Sequence, residues 1–536
     1  MASQHHVRIL ATPPSEDAIL NSLLEIVRDY NAHLPPGRNP IVFGACELNA
    51  EMPLLLNLPS SRLACREPLS EFEAVNAHFS AQVHAFFHAL YRFENMAETP
   101  SCDNLDLCRP DEYLRPVIRI LNQSFDIYPR CYHRHFHTRR LTIQDPGHLS
   151  TLYRVTSLRI LSYRTNNSDP AHRRPISLRV PLDLVTHLRH VHELDCPWLG
   201  ERLPIAFKSK ALRNFSRVWA GPWRDDRVEF GRAVRSAMPV LPPYLSKVRL
   251  WFWKPNAYGD GMDQAEQMPD LVGSSLASSA NEFGGKDPVS LGLRDLGSRL
   301  QELDICAFIT PDLFRSDEGL SGEHMRHFKV EFHPCAPNGR WYFSGPRGEN
   351  PYATGFAITK EQHYPPGHLQ EDDDETHKLL SDEEDEYWGD EGIYNTRQPD
   401  MFRISPIAEN INPLLLAFAS SLQRQKMPAL EDAELFTWLT WRPSMERWEE
   451  YEGSDEVPPT EDEEDTVMFR WGVKYEAPAV DGDGKGKVTW QVGEDWRPDD
   501  ETIKAFEDLV GGDGENIEWQ GFEFLERRNQ DSSVYV

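Results

Sequence analysis

The stretch LQELDICAFIT, residues Leu300–Thr310, places its apolar residues as L-x-x-L-x-I, with Leu300, Leu303 and Ile305 at the three positions. In an extended chain successive side chains point to opposite faces, so Leu303 and Ile305 enter a core while Glu302 and Asp304 point away from it. This spacing is that of the strand half of a leucine-rich repeat. Further copies are Val155, Leu158 and Ile160; Val191, Leu194 and Cys196; Leu245, Val248 and Leu250; and Leu430, Ala433 and Leu435, while Leu141–Ile143, preceded by two arginines, is a short strand candidate. Asn104–Leu107 is another. Segments 111–122, 227–237 and 411–425 between them read as helical or irregular.

Taking central positions 141, 158, 194, 248 and 303, the steps are 17, 36, 54 and 55 residues, against roughly 20–29 in a regular array. The expected fold class is therefore α/β: an irregular leucine-rich-repeat-like solenoid with parallel strands, long insertions and a β-hairpin-rich C-terminal cap. The domain expectation has three parts. Residues 1–99 form an N-terminal helical region. Residues 100–435 form the array, carrying an acidic insertion at 366–392. Residues 436–536 form a β-rich cap that includes an acidic loop at 446–465.

Within the first part, Ser15 is a candidate N-cap for an amphipathic helix over about residues 16–31. Ile41–Cys46 reads as a short strand. Ser70–Glu73 matches a capping box opening a helix over 70–96, with Phe79, Val83, Phe86, Phe87, Leu90 and Phe93 as its core stripe. The Gly- and Ser-rich segment 255–290 reads as a long insertion loop. Phe328–Phe332 and Trp341–Phe343 flank an Asn-Gly turn and so read as a hairpin. Met468–Tyr475 and Lys487–Val492 read as another, followed by a helix over Asp500–Leu509 ended by Gly511 and a last strand over Ile517–Leu525. Tryptophans 441, 448, 471, 490, 496 and 519 gather in this block, in keeping with a cap that closes an array.

The chain has 536 residues with 56 basic and 85 acidic side chains, a net charge of −29. Glu371–Gly392 holds 12 acids and one lysine, and Glu446–Asp465 holds 11 acids and one arginine, so these two runs account for −21 of the total. The first lacks apolar periodicity and reads as a mobile insertion. An acidic balance disfavours nucleic acid and anionic membranes as partners. No apolar run reaches the roughly 18 residues of a spanning helix, and the first 30 residues lack a signal-peptide pattern. The eight cysteines include no C-x-x-C pair and read as reduced thiols of a cytoplasmic or nuclear protein. The sequons at Asn122, Asn166 and Asn214 then read as chance matches.

The segments LQELDICAFITPDLF (300–314), MRHFKVEFHPCAPNGRWYFSGP (325–346), INPLLLAFASSLQRQKMPALEDAEL (411–435) and MFRWGVKYEAPA with VTWQVGEDWRP (468–498) resemble the fungal F-box and leucine-rich-repeat-like proteins. The likeness covers roughly residues 100–525. It implies an array that binds a substrate protein and an F-box that recruits a ubiquitin-ligase adaptor. The F-box itself is not recognisable. Leu34-Pro35 leads into Gly-Arg-Asn-Pro, and Leu58-Pro59 into two serines, where the family has an L-P-x-E-like turn.

The expected function is a non-enzymatic protein–protein interaction scaffold related to the substrate-recognition arms of those ligases, with a protein partner and no cofactor. The alternative is a hydrolase or other enzyme with a site between array and cap. No catalytic, cofactor or metal residue is assigned. Cys131, His133, His135 and His137 resemble a metal cluster, but zinc needs about four ligands and arginines 134, 139 and 140 crowd the stretch, so a polar strand edge is the reading. The candidate partner-binding face is the set of outward strand positions: Arg140 and Thr142, Arg159, Glu193 and Asp195, Lys247, Arg249 and Trp251, Glu302 and Asp304, Asp432 and Glu434. Mixed charge gives selectivity and an aromatic supplies anchoring energy.

Overall fold

The structure, a computed structural model, describes residues 8–9, 15–21, 45–50, 55–56, 69–96, 115–120, 139–161, 175–201, 217–253, 262–273, 282–315, 322–365, 399–458, 466–478, 485–493, 496–512, 514–521 and 523–524. The L-x-x-L-x-I stretch lies in the middle of a 12-stranded sheet. In chain order its strands are β1 (Ala45–Ala50), β2 (Arg115–Ile120), β3 (Ser157–Leu161), β4 (Glu193–Cys196), β5 (Lys247–Trp251), β6 (Glu302–Ala307), β7 (His327–Phe332), β8 (Asp432–Trp441), β9 (Val467–Glu476), β10 (Lys487–Gln491), β11 (Ile517–Gln520) and β12 (Glu523–Phe524). Strands β1 to β11 sit side by side in the order of the sequence. From β1 to β8 every pairing is parallel. β8, β9 and β10 then pair antiparallel, β10 and β11 parallel, and β12 adds to β9. The protein is thus mixed α/β with a large, mostly parallel sheet.

Parallel neighbours need crossover connections, and helices supply them. The described helices that pack on the sheet are α1 (Leu69–Met96), α2 (Val180–Val185), α3 (Ala220–Ala237), α4 (Pro288–Gly297), α5 (Ala408–Ser421), α6 (Met445–Tyr451) and α7 (Asp500–Leu509). The repeat positions form the inner face as expected: Leu158, Leu194, Val248, Leu303, Phe328 and Ala433 are buried in register across β3 to β8. Phe230 of α3 packs edge-on to Phe252, and Phe314 and Phe418 meet at 5.2 Å. The α1 stripe Phe79, Val83, Phe86, Phe87, Leu90 and Phe93 is buried in the same core.

Several expectations give way to the structure. Leu141–Ile143 is not a strand of the main sheet. Leu141 makes an isolated parallel bridge to Ile176. Its neighbours are tied to α1 instead: Thr142 N–H donates to Asn76 Oδ1 at 2.7 Å, and Gln144 N–H to Ser80 Oγ at 3.0 Å. Segment 111–122 contains strand β2, in keeping with the β-branched residues of RPVIRI and with hydrogen-bonded neighbours on both sides. The chain folds back across the Asn-Gly turn, but Trp341 bridges antiparallel to Cys335 and not to Phe328–Phe332, because both edges of β7 are occupied by β6 and β8. The turn between them is nonetheless tight. Gly339 has φ +76°, and a Cβ there would lie 2.4 Å from Gly355 Cα, so only glycine fits.

Part of the expected 255–290 loop is core: Met262, Met268 and Leu271 are buried, and α4 starts at Pro288 with Asp287 as N-cap. Helix α1 begins at Leu69, ahead of the Ser70 cap position. The expected acidic loop 446–465 opens with α6, capped by Ser444, and Tyr451 is buried. The hairpin of β9 and β10, helix α7 and strand β11 stand where the sequence put them, and Trp441, Trp471 and Trp490 are fully buried among them. β8 crosses the expected 435/436 boundary, so the strands expected in the cap continue the main sheet. Ser15 Oγ accepts from Ala18 N–H, the expected N-cap. Asn104–Leu107, residues 131–137, the acidic insertion 366–392 and residues 22–44 lie outside the described residues. Among the described residues, no helix is long and apolar enough to cross a membrane. Cys196, Cys306 and Cys335 are buried free thiols.

Candidate interaction face

Because the side-chain period of a strand is two and the strands lie in exact neighbour register, outward residues align into rows that run across the sheet. One row reads Arg159, Asp195, Arg249, Asp304, Lys329, Glu434, Lys474, alternating in sign at every step. A second row, two residues earlier on the parallel strands, reads Glu193, Lys247, Glu302, His327, Asp432. Cross-strand opposite charges stabilise neighbouring strands by a few tenths of a kcal/mol to about 1 kcal/mol each.

Asp195 is the hub of the first row. It accepts from Arg249 Nε and Nη2 at 2.6 and 2.9 Å, and it forms an ion pair with Arg159 Nε at 2.8 Å. Burial disfavours the Arg249 charge, yet the Asp195 hydrogen bonds hold its pKa above the ordinary arginine value. Arg249 also lies over the Trp251 ring at 5.0 Å. Trp251 Nε1–H donates to Asp304 Oδ1 at 2.9 Å. Burial raises the Asp304 pKa, while this hydrogen bond and Lys329 act the other way. In the second row Lys247 pairs with Glu302 at 2.6 Å and His327 Nδ1 with Asp432 at 2.5 Å. Farther along, Arg470 pairs with Glu434 and lies 4.1 Å over Phe436.

Lys329 differs from the other cations of its row. It is exposed, and among the described residues it makes no ion pair. Its ammonium lies 5.5 Å from the Phe436 ring. A third row, two residues on, is buried: Trp251, Cys306, Glu331 and Phe436. Burial pushes the Glu331 carboxyl up to about 8 and the Cys306 thiol well above its usual value.

The structure therefore brings Arg159, Glu193, Asp195, Arg249, Glu302 and Asp304 onto one face. Two sequence candidates behave differently. Trp251 shares the face but is only 7% exposed, with its ring and its N–H already engaged, so it cannot serve as a free aromatic anchor. Arg140 is not on this face, because its segment is held against α1. It pairs with Asp226 of α3 at 3.3 Å, and Thr142 likewise lines the cavity there. The sequence reading missed Lys329 and Lys474 as members of the row. The alternation of Phe328–Phe332 carries the signal for Lys329 and that of Met468–Tyr475 the signal for Lys474, but both stretches read as hairpin strands, apart from the repeat strands. Comparison with protein-family models, with curated proteins and with solved structures finds no match for this chain.

Proposed function

We propose that the chain is a non-enzymatic protein-interaction scaffold: an irregular leucine-rich-repeat-like solenoid whose strand face receives a protein partner, as in the substrate-recognition arms of ubiquitin ligases. The observation that carries this reading is the row Arg159–Lys474, an ordered, nearly charge-balanced surface laid across seven neighbouring strands. The strand order, equal to the sequence order with helices as crossovers, supports the solenoid. A surface of alternating sign suits the mixed charges of a protein better than the uniform charge of a nucleic acid.

Within the row most charges are already satisfied by each other. A partner carboxylate gains most at Lys329, where no internal pair has to be broken. Affinity capture with the tagged full-length chain, followed by mass spectrometry, tests the reading. Partners recovered by the parent chain are expected to be lost or reduced about tenfold with Lys329→Glu, with Arg424→Glu, exposed in the turn after α5 and without an ion pair among the described residues, as the control. Equal recovery by both variants would overturn it.

A further inference from the structure

Helix α1, segment 139–146 and helix α3 line an open cavity of about 490 Å³, separate from the charge rows. Its walls carry acidic and basic groups in equal supply, but their pairing is uneven. Glu229 is held by Arg179 at 3.0 Å and Arg232 at 2.7 Å. Asp225 accepts from Tyr364 Oη at 2.8 Å and lies 3.4 Å from Arg224. Asp226 accepts from Ser177 Oγ at 2.5 Å and from Leu178 N–H at 3.3 Å.

The donors left over belong to two neighbouring arginines. Arg139 makes no ion pair among the described residues, its Nε is buried without an acceptor, and its guanidinium lies 5.8 Å from the Phe72 ring centroid. Arg140 is nine-tenths buried, and although its Nη1 is 3.3 Å from Asp226 it makes no hydrogen bond there. A buried donor with no acceptor is costly, and the Arg140 charge is already met by Asp226, so Arg139 gains most from an acceptor in the cavity.

The two arginines are also held in place. Asn76, Ser80 and His84 recur every four residues along α1, on one face of the helix. They bond the backbone that follows the arginines: Asn76 Oδ1 accepts from Thr142 N–H, Ser80 Oγ donates to Thr142 O and accepts from Gln144 N–H, and His84 Nε2 meets Gln144 O at 2.9 Å. The rest of the lining, including Phe72, Ile143, Pro146 and Pro222, is apolar. The volume lies within the range of small-molecule sites, which combine an apolar wall with a few convergent polar groups.

We propose that this cavity binds a small organic oxyanion, a carboxylate or a phosphate monoester on an apolar or aromatic body. Arg139 and Arg140 take the anion and Phe72 stacks on the body. Guanidinium groups offer planar paired donors that match either oxyanion.

The test uses the full-length chain, with isothermal titration and thermal melting in the presence of benzoate, phenyl phosphate, inorganic phosphate and neutral benzyl alcohol. Saturable binding of at least one aryl anion with a raised melting temperature is expected, with none for benzyl alcohol. Whichever of benzoate and phenyl phosphate binds more tightly identifies the anion. Arg139→Gln is expected to weaken that binding at least tenfold. Phe72→Leu is expected to weaken the aryl anions while leaving inorganic phosphate unchanged. Absence of saturable binding of both aryl anions by the parent chain, or equal binding by both variants, would overturn the proposal. The two variants are melted alone first. Should Arg139→Gln not fold, the parent's discrimination between the anions and benzyl alcohol, together with Phe72→Leu, decides.

Discussion

Replacing Glu331 by glutamine should change how stability depends on pH. Glu331 is 6% exposed on the outward side of β7. Burial pushes its pKa from the usual 4.5 up to about 8; Asp304 acts in the same direction, and Lys329, Cys306 and Arg470 oppose it. The sign follows from proton uptake. Between pH 4.5 and about 8 the folded chain holds a proton that the unfolded chain has released, so the stability present below pH 4.5 is lost as pH rises through that interval. At about 1.4 kcal/mol for each pH unit, the loss approaches about 5 kcal/mol by pH 8, a large part of a typical total of about 5–15 kcal/mol. Glutamine keeps the shape and removes the titration. The buried Oε1 already lacks a hydrogen-bond partner, so glutamine brings a constant offset at most. Urea unfolding of both proteins at pH 5.5, 6.5, 7.5 and 8.5 is the assay. The stability difference in favour of Glu331→Gln should widen by about 1 kcal/mol or more per pH unit up to about 8 and level off above it. Two curves that stay parallel from pH 5.5 to 8.5 would refute the reasoning and show that the carboxyl is hydrated.

Leu303→Asp should leave no folded baseline in a thermal melt. The side chain is 2% exposed between Val248 and Phe328, and an unpaired carboxylate there costs several kcal/mol beyond the lost packing. An unchanged melting curve would remove β6 from the core. The purified chain should not co-elute with the ubiquitin-ligase adaptor on size exclusion, because residues 1–70 lack the helical pattern an F-box requires. A stoichiometric complex would support the ligase role that the resemblance implies.

The legible parts of the fold were those where one local pattern matched its long-range use. At Leu194, Val248 and Leu303 the L-x-x-L-x-I spacing gave both the strand and the face, since each neighbouring strand demands the same alternation. The strand reading failed at Leu141–Ile143, where the backbone is bonded by Asn76 and Ser80 of a helix more than 60 residues earlier. At Phe328–Phe332 the Asn-Gly turn correctly signals a local return, but Trp341 meets Cys335 and not the strand, whose edges parallel neighbours have taken. For the candidate face, alternation was enough to select Asp195, Arg249 and Asp304. Alternation gives a side but not a depth, so the burial of Trp251 and Glu331 was not legible. The cavity was not legible either, because Phe72, Arg139 and Asp226 meet only in the folded chain.

The alternating row has a consequence for how such a chain can lengthen or shorten. Removing the single unit that carries Arg249 would set Asp195 beside Asp304, two acids directly opposite each other on adjacent strands. Removing the units of Asp195 and Arg249 together would set Arg159 beside Asp304, and the sequence of signs would be intact. Loss or duplication of strand units is therefore tolerated in pairs and penalised singly, a parity rule written across the face of the sheet.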